Sequence, residues 1–146
     1  PLFLKQRETG EITITDENMT RFWVTMEQGV RFVIACIGRM RGGEIFVPKM
    51  PSMRVSDIAG VVAPEAKRKI IGIRPGEKLH EMLLVPEEAR HALEFDDYLM
   101  IEPEHAYWSS GTIDGGHPVP ADFAYRSDSN QQWLGADELR AMLQEI

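Results

Sequence analysis

Ile70-Ile71-Gly72-Ile73-Arg74-Pro75-Gly76-Glu77-Lys78-Leu79-His80-Glu81 is the stretch on which the reading of this chain turns. An apolar, β-branched run over 69–73 predicts a strand. It meets a Pro-Gly pair, with proline at i+1 and glycine at i+2, the preference of a type II turn. Such a turn brings the Cα atoms of i and i+3 within about 7 Å. Arg74 and Glu77 are therefore expected side by side at the carboxyl end of a strand, where open α/β sheets present ligand sites. Arg74 offers a planar fork for phosphate, and Glu77 an acceptor for sugar hydroxyls. The spacing leaves two readings open: a ligand site, and a surface Arg–Glu pair of little energetic weight.

Outward from this turn, strands alternate with helices. Glu11 to Thr15 predicts a short strand and Asp16 to Met19 a turn. Thr25 and Gln28 form a capping-box pattern ahead of an apolar stripe at Met26, Val30, Val33, Ile34, Ile37 and Met40, so a helix is expected from about Met26 to Met40, stopped by Gly42 and Gly43. Glu44 to Val47 predicts a strand ended by Pro48. Ser56 predicts a cap on a helix carrying Ile58, Val61 and Val62 and closed by Pro64. Lys78 to Leu84 and Glu87 to Leu93 read as helical, and Tyr98 to Ile101 as a strand. Residues 103–120 are the longest expected loop, and Ala136 to Ile146 closes the chain as an amphipathic helix. The fold class is α/β (α+β), and residues 1–146 are expected to form one domain.

Composition excludes several functions. The chain carries 16 Lys+Arg against 23 Asp+Glu, a net charge of −7, so neither nucleic acid nor an anionic membrane is an expected partner. Cys36 is the only cysteine, which rules out an internal disulfide framework and cysteine-based zinc; its apolar neighbours predict a buried thiol. The longest apolar run, Phe32 to Ile37, is far short of the ~20 residues of a membrane span, and no signal-peptide pattern opens the chain, so a cytoplasmic protein is expected. No metal site is expected: His80, His91, His105 and His117 lack ligand spacing and read as surface or satisfied histidines. No catalytic residues are expected in this chain. It has no G-x-G-x-x-G, and no tyrosine is followed four residues later by lysine. The opening Pro1-Leu2-Phe3-Leu4-Lys5, without an initiator methionine, reads as the middle of a longer protein.

Two further segments carry candidate ligand contacts. Within Met19-Thr20-Arg21-Phe22-Trp23, Arg21 reads either as a guanidinium laid on an aromatic face and aimed into a cleft, or as an ordinary arginine at a helix approach. Within Gly43-Glu44-Ile45-Phe46-Val47-Pro48-Lys49-Met50-Pro51-Ser52-Met53, Lys49 reads as an anion contact or as a solvated lysine. These segments and the 70–81 turn reinforce one another only where the fold brings them together.

The three segments, in this order, closely resemble the C-terminal half of the inverting UDP-N-acetylglucosamine 4,6-dehydratases of the extended short-chain dehydrogenase/reductase family. Phe123-x-Tyr125-x-Ser127 and Asn130-x-x-Trp133-Leu134 add to the resemblance, which runs from about Phe3 to Leu143. Val47-Pro48-Lys49-Met50-Pro51-Ser52-Met53 and His80 resemble the inverting rather than the retaining branch; the 105–118 loop matches no family pattern. The resemblance implies a small C-terminal substrate-binding domain that grips a UDP-sugar through Arg21, Arg74 and Glu77. It implies a missing N-terminal Rossmann domain holding NADP and the catalytic Tyr, Lys and Asp. A 4-keto-6-deoxy sugar nucleotide of the pseudaminic acid pathway, and a homo-oligomer, follow from it. A same-family epimerase or reductase, or a non-catalytic nucleotide-sugar-binding module, are the alternatives.

Overall fold

The computed structural model describes residues 2–104 and 115–144. In chain order the elements are α1 (Leu2–Thr9), β1 (Glu11–Ile14), β2 (Thr20–Phe22), α2 (Met26–Arg39), β3 (Ile45–Pro48), β4 (Ser52–Arg54), α3 (Val55–Val62), β5 (Lys67–Ile70), β6 (Met82–Leu84), α4 (Pro86–Ala89), β7 (Ala92–Glu94), β8 (Tyr98–Ile101), β9 (His117–Pro118), β10 (Tyr125–Arg126) and α5 (Ala136–Gln144). The mixed α/β class expected from the sequence is what forms. The residues gather into two compact units, 1–23 with 51–81 and 127–146, and 24–50 with 82–126.

In the first unit β1 pairs in parallel with β5, Ile14 opposite Ile70, and β2 pairs antiparallel with β4, Arg21 opposite Met53. One apolar cluster joins Met53, Ile58, Val62, Leu134 and Leu139. Another joins Ile12, Ile14, Ala59 and Ala63. Helix α3 serves both because Ile58, Ala59 and Val62 recur at helical spacing on its buried face. Burying each large aliphatic side chain contributes ~1.5–3 kcal/mol, so the seam between α3 and α5, with Leu139 fully enclosed, is the firm part of this unit. The tail is stitched to β4. Ser52 donates its N–H to Gln132 O at 2.8 Å, accepts at its carbonyl from Leu134 N at 2.9 Å, and accepts at Oγ from Asn130 Nδ2 at 3.0 Å.

In the second unit four antiparallel strands run in the order β3-β8-β7-β9, and β6 pairs with β10. Pro48, opposite Tyr98, is tolerated because β3 is an edge strand. Tyr98 is the hub: it stacks on Phe95 at 4.4 Å and carries the Arg39 guanidinium over its ring at 4.6 Å.

Several expectations are corrected. Lys78 to Leu84 is not a helix: the carbonyls of 78 and 79 are taken by β2, and 82–84 pair as a strand. Residues 87–93 divide between the single turn of α4 and strand β7. The strand after α3 lies at 67–70, and α1 had no predicted counterpart. Ser56 does not cap α3; the N-cap is Arg54, and the Ser56 hydroxyl donates to Glu17 O. The capping box of α2 forms with both of its bonds. Its stop is Met40 in extended geometry, while Gly42 and Gly43 lie in the following connection. Cys36 is only half-buried. Of the expected 103–120 loop, 105–114, with His105, lie outside the described residues, and His117–Pro118 is a strand.

Candidate functional site

The turn forms as the sequence dictates. Glu77 N donates to Arg74 O at 3.0 Å, and Gly76 has φ 81°, matching the left-handed position a type II turn requires. The Glu77 carboxylate does not pair with the Arg74 guanidinium. Its Oε2 accepts from the Arg74 backbone N–H at 3.3 Å, which pins the turn from inside. Arg74 is exposed, and its guanidinium has no hydrogen-bond or ion-pair partner among the described residues. A surface ion pair is therefore not what this geometry contains. It contains a rigid turn presenting an unpaired guanidinium beside a half-buried carboxylate.

Arg21 joins the same region because β2 runs alongside 78–81. Thr20 N donates to Leu79 O at 3.1 Å. The Arg21 guanidinium donates through Nη1 to Thr20 O at 2.7 Å and Leu79 O at 3.2 Å, and through Nη2 to Lys78 O at 2.9 Å. Nε faces Glu81 Oε1 at 3.3 Å. Arginine has five N–H donors; three are spent on these carbonyls, and Nε meets Glu81 as an ion pair only. Of the two readings of Arg21, neither the aromatic face nor an ordinary arginine at a helix approach describes it: its fork is bound to backbone carbonyls.

Behind this clamp lies a buried polar chain that the sequence reading did not assign. Thr20 Oγ1 lies 2.8 Å from His80 Nδ1 and 2.7 Å from Ser127 Oγ. Ser127 Oγ accepts from Glu81 N at 2.9 Å, and Ser127 N donates to Glu81 O at 2.9 Å. The far side of His80, Nε2, lies 3.8 Å from Asp128. His80 is thus one of the satisfied histidines expected, as is His91, 2.8 Å from Glu104. No single residue signals the network, because its members are 60 and 107 positions apart. The Phe-x-Tyr-x-Ser alternation was the one available hint.

Of the segments singled out in the sequence, Arg21 and the 74–81 turn come together in the first unit. Lys49 belongs to the second unit, where it pairs with Glu94 at 2.7 Å. That unit also contains the least expected feature. No residue of α2 is buried, and Met26 is 84% exposed, Ile34 64% and Ile37 65%. An open apolar groove of about 480 Å³ runs along Val24, Met26, Val30, Val33 and Ile34. No helix among the described residues is long and apolar enough to cross a membrane.

A mixed α/β chain with an arginine–glutamate turn separated by three residues from the end of β5 is the class these features define. The model of the polysaccharide biosynthesis protein family matches residues 1–103, and the chain belongs to that family. It is 42% identical over 148 residues to a UDP-N-acetylglucosamine 4,6-dehydratase (inverting) of Campylobacter jejuni, an alignment covering 95% of this chain and 44% of that protein. A UDP-glucose 4-epimerase of Rickettsia canadensis is 35% identical over 98% of the chain and 44% of its own length. The X-ray structure of Pen from Bacillus thuringiensis superposes with a TM-score of 0.80 at 30% identity, over 99% of this chain and 44% of that one. The chain thus spans less than half the length of these relatives.

Proposed function

We propose that residues 1–146 are the nucleotide-sugar-binding part of an inverting UDP-N-acetylglucosamine 4,6-dehydratase. The observation that carries this reading is the Arg74–Glu77 turn: a guanidinium without a partner, held by a turn whose own glutamate is fixed by backbone. Arg74 is the diphosphate anchor, Glu77 accepts from the ribose hydroxyls, and Arg21 adds its charge. The similarity to the Campylobacter enzyme supports the choice of sugar and reaction over the epimerase alternative, whose representative is the less similar of the two.

The residues present do not fit NADP. No strand-to-helix turn described here carries the glycine cradle a dinucleotide pyrophosphate needs; β4 enters α3 through Ser52-Met53-Arg54. No step of a reaction is routed through that cofactor on these residues. In this proposal NADP and the proton-transfer groups belong to a Rossmann domain of the longer protein, the apolar face of α2 meets that domain, and the whole protein is a cytoplasmic homo-oligomer. The chain alone binds UDP and turns over no UDP-N-acetylglucosamine.

Calorimetry with UDP tests the site. A charge-assisted bidentate contact contributes roughly 1.5–3 kcal/mol, so Arg74→Ala should weaken UDP binding at least ~tenfold at ~1.4 kcal/mol per decade. Arg74→Lys should not restore it, because an ammonium lacks the fork. Glu77→Gln should weaken it less, since the amide oxygen still accepts. A folded Arg74→Ala protein that binds UDP within a factor of about two of the original removes Arg74 from the site.

A further inference from the structure

We propose that His80 is the positioning residue of this site: through Thr20 and Ser127 it holds segment 78–81, on which both the Arg21 clamp and the Arg74 turn depend. This rests on the nucleotide-binding reading above for its consequence, but the geometry that carries it is independent of any ligand.

The direction of every hydrogen bond in the chain follows from its fixed end. The Glu81 N–H can only donate, and it donates to Ser127 Oγ. Ser127 is fully buried, so its hydroxyl hydrogen needs an acceptor inside the protein. Thr20 Oγ1 at 2.7 Å is the acceptor within reach. Thr20 is buried too, and its own hydrogen then points at His80 Nδ1, 2.8 Å away. The imidazole must therefore present Nδ1 as a lone pair and carry its hydrogen on Nε2, toward Asp128. With the opposite polarity, His80 would donate to Thr20 and Thr20 to Ser127. The Ser127 hydrogen would then be stranded without an acceptor in a site closed to water.

The consequence reaches the front of the site in two bonds. Segment 78–81 supplies the Lys78 and Leu79 carbonyls and the Glu81 carboxylate that Arg21 grips. Glu77, which pins the turn, immediately precedes it. Removing the acceptor at His80 leaves Thr20 and Ser127 with one hydrogen too many, and the Glu81 amide loses its ordered partner. His80 touches no ligand in this scheme; it acts through Thr20, Ser127 and the backbone.

Two variants separate an acceptor from a mere space-filler. His80→Phe keeps an aromatic ring but has no acceptor. His80→Asn places a carboxamide oxygen at the δ position where Nδ1 now lies. The readouts are hydrogen exchange at the Glu81 amide, with the Leu134 amide bonded to Ser52 O as internal reference, and calorimetry with UDP. In His80→Phe, protection at Glu81 and UDP affinity should each fall on the order of tenfold, equivalent to ~1.4 kcal/mol. His80→Asn should keep both within about threefold of the original. Unchanged Glu81 protection in His80→Phe overturns the proposal. So does equal loss in both variants, which would make His80 a packing residue, or lost protection with unchanged UDP affinity. If the original protein binds no UDP at all while His80→Phe still loosens Glu81 and His80→Asn restores it, the clamp stands and the nucleotide reading falls by itself.

Discussion

Removing Arg21 separates a guanidinium bonded within the protein from Arg74, the one proposed to bind a ligand. The Arg21 side chain is 25% exposed, donates three hydrogen bonds to Thr20 O, Leu79 O and Lys78 O, and forms an ion pair with Glu81. Hydrogen bonds to a charged donor contribute ~1.5–3 kcal/mol each when sheltered. Here the sum is much smaller. Leu79 O keeps its bond from Thr20 N, Lys78 is an exposed residue, and the Glu81 ion pair is partly screened. A net loss of ~2 kcal/mol is the expectation for Arg21→Ala, which at ~2–4 °C per kcal/mol lowers the melting temperature by about 4–8 °C. Arg21→Lys keeps the charge but cannot span three carbonyls, so it should recover less than half of this. Arg74→Ala, which removes a side chain without partners, should lie within ~0.5 kcal/mol of the original. Thermal melts followed by far-ultraviolet circular dichroism, paired with UDP calorimetry, read both effects. Arg21→Ala should lose stability and UDP affinity together, Arg74→Ala affinity alone. An Arg21→Ala protein melting within about 1 °C of the original would refute the clamp, whatever happened to UDP binding.

The apolar face of α2 should make the isolated chain self-associate, since exposed patches of several hundred Å² seldom stay bare. Light scattering across a concentration series should show mass rising with concentration, and Ile34→Lys with Ile37→Lys should abolish the rise. A chain that stays monomeric at high concentration without those changes contradicts it. The Tyr125 hydroxyl donates to Met50 O at 3.0 Å and accepts from Met50 N–H at 2.8 Å. Burial pushes it above the usual tyrosine range, against the lowering effect of the Met50 bond. A folded-state value raised above the unfolded ~10 means stability that is complete below that pH and is lost as pH climbs through the folded value. Urea midpoints between about pH 8 and 11 should fall more steeply for the original protein than for Tyr125→Phe, and parallel curves would count against the assignment.

Local chemistry carried much of this protein in the sequence alone. The Arg74–Glu77 turn forms because proline fixes one dihedral angle and glycine permits the next, both properties of single residues. The capping box of Thr25 and Gln28 forms because its partners are three positions apart. β1, β3 and β8 lie within a residue or two of where alternation predicts, and the motifs were long enough to carry the family. Tertiary structure decided what those segments touch. Lys78 to Leu84 has a helical pattern, but β2 and β10 satisfy its backbone groups better than a short isolated helix could. The α2 stripe was legible as a stripe, yet spacing cannot say whether a partner surface exists for it, and within the described residues it stays exposed. Arg21 reads in one dimension as an arginine over an aromatic face or at a helix approach, and becomes a staple in three. The Thr20–His80–Ser127 chain was beyond reach for the same reason: hydrogen-bond direction depends on burial and on donors distant in sequence, and both exist only once the chain has folded.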